Sequence, residues 1–247
     1  MRLFQSILRS VLVKRDLKLF LAFGVLPALV PLLANNMETV KGDYTSSFLS
    51  FLQLAMKTQY QLVLPTLIFS LLIASVFRDE IDAKILFLYK DLSRQKIFHA
   101  KILALATVYA LFFLVTTVFS LLVYYFWLVP RFGVSSRLLA QSADLLAKDM
   151  LTIGSLIFLN LVSIMLVAAV SIHRKTLVAI LAAVFFNAAM LTAPFWVGLN
   201  VISPLTYANQ ASSNSALGEL CSILILALFY IGFLYWRGKG RFRDLEF

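Results

Sequence analysis

The sequence predicts an all-α membrane protein: six transmembrane helices preceded by an amphipathic interfacial helix, with both termini cytoplasmic. Three observations predict it. The 247-residue chain is 61% hydrophobic with a mean hydropathy of +0.90, too apolar for a water-soluble domain of this size. Cutting it at its charged residues leaves uncharged runs near the ~20 residues needed to cross a hydrocarbon core of ~30 Å. Lys and Arg also gather in alternate connections, the asymmetry that orients a polytopic chain. The whole chain, 1–247, reads as one transmembrane domain.

The amphipathic helix occupies about residues 1–17. Leu3, Ile7, Ser10, Val11 and Lys14 share a helical face, Leu8 and Leu12 flank it, and Arg2, Arg9, Lys14 and Arg15 supply the polar side. An apolar segment of full span length follows without a small-residue cleavage site, so the start reads as a retained helix rather than a signal peptide. The uncharged runs are Leu19–Met37, Thr58–Phe77, Ile102–Pro130, Met150–His173, Thr176–Gly218 and Leu220–Trp236. They place spans at about 19–36, 59–77, 102–129, 150–172, 176–197 and 218–236. The fifth run is too long for one crossing. Its second half, Asn200–Gly218, is rich in Asn and Ser, is broken by Pro204, and reads as an uncharged outer loop. No run alternates at period two, which excludes a β-barrel. Lipid offers a spanning backbone no partner outside its own helix, so the spans are helical.

With the N-terminus inside, seventeen of the 22 Lys and Arg residues fall in cytoplasmic segments. Acids divide almost evenly, so the net charge of +10 resides on the inner face. Anionic membrane lipids are the partner that this charge implies. Nucleic acid is excluded, because no soluble stretch is long enough to fold into a basic face.

Several chemistries lack their residues. No GxxxxGK[ST] sequence is present, and "RGKGR" at Arg237–Arg241 has neither the spacing nor the following hydroxyl. His99 and His173 lie near the inner ends of different spans without acidic partners at ligand spacing, and Cys221 is the only cysteine, so no metal site is expected. Gly154 and Ser155 read as small residues that let helices approach. Glu219 at the edge of the last span aside, no Asp, Glu, Lys or Arg lies within the spans as bounded above, which argues against a proton- or sodium-coupled carrier.

The stretch Phe77–Ile97, "FRDEIDAKILFLYKDLSRQKI", is different. It carries nine charges between two apolar runs, acids first and bases last. Ile81, Ile85, Leu88 and Leu92 form one helical stripe, with Leu86 and Tyr89 beside it. Asp79, Glu80 and Asp82 at its start and Lys90, Arg94 and Lys96 at its end complement a helix dipole, each pairing contributing about 0.3–1 kcal/mol. A helix this short needs a surface for its stripe, either the bundle or another protein.

This pattern resembles the ABC-2-type permeases, the membrane subunits of ATP-binding-cassette exporters. In that family a charged helical connection between spans two and three runs from acids through a small residue and an apolar stretch to Ser-Arg, with a Lys opening span three. This chain offers Asp79-Glu80, Ala83, Ile85–Leu88, Ser93-Arg94 and Lys101. Ala83 stands where Gly is common, and Lys90-Asp91 where Pro is frequent. "SPLTYANQ" at Ser203–Gln210 resembles the Pro- and Tyr-containing outer segment of such permeases.

The resemblance implies that residues 78–101 form a cytoplasmic coupling loop. Asp79, Glu80, Ile85, Leu88, Tyr89, Ser93 and Arg94 would dock into an ATPase subunit. Two copies of that ATPase would bind ATP and Mg, this chain binding no cofactor and catalysing no reaction itself. A second permease, identical or a sister subunit, would complete the complex in a bacterial plasma membrane. Candidate pathway residues are Gln61, Pro65, Thr117, Asn160 and Asn187, with Gln59, Thr107 and Thr116 beside them. The family arrangement of spans two and five at the dimer interface favours Gln61, Pro65 and Asn187. Export of a hydrophobic or amphipathic substrate follows, a bacteriocin-like or antimicrobial peptide first, with lipid, haem and drugs as alternatives. A lipid-modifying membrane enzyme and a peptide-binding sensor or immunity protein remain open as other classes.

Overall fold

The computed structural model describes residues 2–29, 46–82 and 93–243. All regular elements among them are helical. In chain order they are α1 (Arg2–Val13), α2 (Arg15–Ala22, prolonged by a 3-10 helix over Phe23–Leu29) and α3 (Phe48–Gln61). Then come α4 (Val63–Asp82), α5 (Arg94–Val123), α6 (Ala143–Ser171), α7 (Thr176–Thr192), α8 (Pro204–Gln210) and α9 (Ala216–Arg243). Four of these helices, α5, α6, α7 and α9, are long and apolar enough to cross a membrane alone. α3 and α4 make a fifth candidate as a pair bent by 69°. The chain is a multi-pass α-helical membrane protein. Of the expected first crossing, 19–36, the residues beyond Leu29 lie outside the described residues.

The expected second crossing, 59–77, is not one continuous helix. α3 ends at Gln61, Leu62 is extended (φ −72°, ψ 127°), and α4 begins at Val63. Pro65 supplies the reason: it has no N–H for the Gln61 carbonyl four residues back, and its ring would collide with that carbonyl. Restarting the helix at Val63 puts Pro65 in a first turn, where the missing N–H removes no bond. α5 meets the same obstacle at Pro130 and resolves it differently. Tyr124–Leu128 form a π turn in which the Val129 N–H reaches the Tyr124 carbonyl five residues back. The helix then closes at Gly133, whose φ of 60° is the left-handed conformation that glycine accepts freely.

The helices overrun the expected span limits. α5 begins at Arg94 instead of 102, α6 at Ala143 instead of 150, and α9 covers Ala216–Arg243 instead of 218–236. Lys101 and Asp149 therefore sit inside helices, 1% and 3% exposed. Glu219 at the edge of the last span aside, the expectation of spans free of ionisable groups holds only for the shorter limits. Asn200–Gly218 is also more than a loop: α8, started by Pro204, packs on α6 and α9, and the Ser203 hydroxyl donates to the Met190 carbonyl (2.8 Å).

The core forms two apolar clusters. One, at the end bearing Lys14, Arg78 and Arg241, unites α1, α2, most of α4, the first half of α5 and the end of α6. The other unites α3, the far end of α5 and the first half of α6, with Met190 and Leu205. α6 runs through both. α1 turns Ile7 and Val11 into the first cluster and packs on α5, while Ser10, expected on the same face, is exposed. Ser155 is fully buried and its hydroxyl donates to the Pro204 carbonyl (3.3 Å), as a close-approach residue should. Gly154 is exposed, with nothing within 4 Å of an added Cβ, so it has no such role within the chain.

Candidate functional site

Two sites emerge: the base from which the charged stretch leaves the bundle, and a polar seam in the apolar interior.

At the base, α4 and α5 are joined by side chains. Lys101 on α5 donates its ammonium to the Val76 carbonyl of α4 (2.7 Å) and lies 5.0 Å over the Phe77 ring. Phe77 contacts Phe98 (ring centroids 5.8 Å) and Phe242 (6.2 Å), so the end of α9 closes the same cluster. Gly238 admits this packing: a Cβ there would lie 3.1 Å from the Phe98 ring. The junction of α1 and α2 clasps α4 from the other side through Lys14, which donates to the Ser75 hydroxyl (2.9 Å) and sits 4.0 Å from the Asp79 carboxylate. Arg78 pairs with Asp82 one turn on (2.8 Å). His99 and Tyr235 stack and share a hydrogen bond between α5 and α9.

Of the expected coupling residues, Asp79 is exposed on the last turns of α4. Glu80 belongs to the same helix, but its side chain lies outside the described residues. Ile85, Leu88 and Tyr89 lie outside the described residues altogether. Ser93 stands at the N-cap of α5, its carbonyl accepting from the Lys96 N–H (2.9 Å), and Arg94 is exposed as the first helical residue.

The polar seam follows the junction of the two apolar clusters. Gln59, buried at the end of α3, donates to the Phe23 carbonyl (3.0 Å) and accepts from Thr116 on α5 (3.3 Å). Asn187 on α7 donates to Thr66 on α4 (2.6 Å) and accepts from Ser163 on α6 (3.3 Å), tying three helices together. In lipid such bonds hold helices that no hydrophobic force brings together. A cavity of about 30 Å³ opens beside this seam, lined in part by Tyr60, Pro65, Thr66, Tyr109 and Asn160.

The structure brings together Pro65, Asn160 and Asn187 among the five expected pathway residues. Pro65 and Asn160 line the cavity, and Asn187 holds its neighbour Thr66. Gln61 is exposed at the helix break, and the Thr117 hydroxyl bonds back to Phe113 of its own helix (2.8 Å). Thr107 likewise bonds to Leu103 (2.9 Å).

Sequence reasoning named Lys101 only as the Lys opening span three and passed over Asp149; both are buried. Asp149 accepts a 2.5 Å hydrogen bond from Ser50, which is itself linked to Ser47 (2.9 Å). The available signal was a cap. Ser142 accepts from the Leu145 N–H, starting α6 two turns before the uncharged run does. Compared with family models, with curated proteins and with solved structures, the chain finds no match.

Proposed function

We propose that the chain is the transmembrane subunit of an ATP-driven exporter of the ABC-2 permease type, resident in a bacterial plasma membrane. It would cross the membrane six times with both termini in the cytoplasm, α1 lying at the inner interface. Two copies of a separate cytoplasmic ATPase would hydrolyse ATP with Mg, and a second permease copy or sister subunit would complete the pathway. The substrate class is hydrophobic or amphipathic, a bacteriocin-like or antimicrobial peptide first.

One observation carries this reading: the charged stretch is rooted in a clamped base. The Lys101–Val76 hydrogen bond and the Phe77–Phe98–Phe242 cluster tie its two ends to each other and to α9, and the Lys14–Ser75 bond ties α4 to the α1–α2 junction. A connection serving topology alone needs a few cations and no such joinery. A connection that receives force from a partner needs rigid roots, because a compliant root would dissipate the displacement. From this base, α4 leads to the break at Leu62 and packs along α7, so motion delivered to α4 reaches the polar seam.

The test is co-expression with a cassette ATPase encoded beside the gene, extraction in mild detergent and co-purification. A variant carrying Glu80→Ala, Leu88→Ala and Arg94→Ala is expected to lose the ATPase while retaining its own yield. Lys101→Met is expected to retain the ATPase and lose permease-stimulated ATP hydrolysis. If the wild type captures no ATPase, or the triple variant binds it undiminished, the assignment is wrong.

A further inference from the structure

We infer that the joint between α3 and α4 is hydrated: the cavity beside it is a binding site for one or two water molecules, held by Tyr60, Tyr109 and Asn160. This stands on the geometry of the bend and does not depend on the exporter reading.

The first ground is an unmet hydroxyl. Tyr60 is 5% exposed and lines the cavity, and its phenolic oxygen has no hydrogen-bond partner among the described residues. Buried hydroxyls of this kind are partnered in nearly all native structures, by protein or by water. The polar neighbours on the wall are engaged elsewhere: Gln59 with Phe23 and Thr116, Thr66 with Asn187. Tyr109, also buried, turns its hydroxyl toward the Asn160 side chain, and Asn160 spends its amide on the Leu156 carbonyl (2.8 Å). Each of these groups keeps acceptor capacity, and none supplies what Tyr60 lacks.

Size and position are the second ground. A cavity of about 30 Å³ exceeds the ~10–15 Å³ that one water requires, and its two to four polar partners are present. It is too small for a peptide or a lipid headgroup. The cavity also lies on the seam between the two apolar clusters: Phe20, Phe69 and Phe112 wall it from one, Met56 and Leu156 from the other. The backbone beside it is the one place in α3–α4 where a helix is interrupted. Pro65 leaves the Gln61 carbonyl without its intrahelical donor. At membrane depth, interrupted backbone is tolerated where it lines a wet cavity or is buried in protein. Water here satisfies the joint at more than one bend angle, which fixed side-chain partners cannot do.

Radiolytic hydroxyl labelling of the intact protein in detergent tests this, because bound water generates radicals beside the residues it touches. Met56 and Met190 are equally buried, 6% and 4% exposed, but only Met56 lines the cavity. With water present, Met56 is expected to oxidise at least about fivefold faster than Met190, and Asn160→Leu to bring the two rates together. Tyr60→Phe, which preserves shape, is expected to lower the melting temperature by about 2–4 °C, since it deletes a ligand of the water. Equal oxidation of the two methionines in the wild type would overturn the inference. So would a rise in melting temperature for Tyr60→Phe, since that marks a dry cavity relieved of an unpartnered hydroxyl.

Discussion

α6 and α9 are nearly equal in length, and both are apolar enough to span a membrane, yet 61% of the apolar window of α6 is buried against 6% of that of α9. α6 carries Thr152, Ser155, Ser163, Ala168, Ala169 and Ser171 on its buried side, and six neighbouring helices pack against it. α9 presents Leu224, Ile225, Leu228, Phe229 and Trp236 outward and touches the bundle mainly along α6 and α8. In water the large side chains of α9 would be driven inward. In lipid no such force acts, and small or polar residues, which allow close approach and hydrogen bonding, decide which helix becomes the centre. Apolarity selects the segments that leave water; smallness selects those that pack.

The largest expected effect sharpens this contrast. Leu159→Ala on α6, at a fully buried position, should cost about 2–3 kcal/mol of unfolding free energy in mixed micelles, through the cavity it leaves. Next comes Asp149→Leu, which removes the charged acceptor of the Ser50 hydroxyl and should cost about 2 kcal/mol. Asp149→Asn, keeping an acceptor, should recover at least half of that in the same titration. Asn187→Ala breaks two interhelical bonds, each contributing about 0.6 kcal/mol on average, so a loss near 1 kcal/mol is expected by steric-trap unfolding. Leu228→Ala on α9 should change stability by less than about 0.5 kcal/mol. A cost there comparable to that of Leu159→Ala would break the comparison, and would mean that this face of α9 is packed and not bathed in lipid.

Much of this arrangement was legible in the sequence. Runs such as Met150–His173 and Thr176–Gly218 announced helices, because charge is expensive in hydrocarbon whatever the tertiary structure. The same rule hid Lys101 and Asp149: cutting at charges places every charge outside a span, whereas the fold buries these two on hydrogen-bond partners supplied by α4 and α3. Pro65 was legible as a candidate pathway residue but not as a break. A proline inside an apolar run is compatible with a kink, a cap or a restart, and only the chain before it decides. The hub role of α6 was not legible either, because Ser155 and Gly154 look alike in sequence and only one of them faces a neighbour. In the charged stretch, periodicity specified an amphipathic stripe, but a stripe does not name what it lies against.

The π turn at Tyr124–Leu128 has a consequence for chain length. It amounts to one residue more than an α-helix needs, held as a local bulge. Removing one residue there, for instance the outward-facing Phe126, would let the turn close to ordinary helix while the residues after it keep nearly their present facing, whereas the same deletion in a regular turn would rotate them by about 100°. Arg131 would keep its place over the Trp127 ring, since both follow the deletion, but Pro130 would meet the carbonyl that the bulge now turns aside. This end of α5 thus holds a spare residue, where a single-codon deletion is absorbed in phase and felt at the proline.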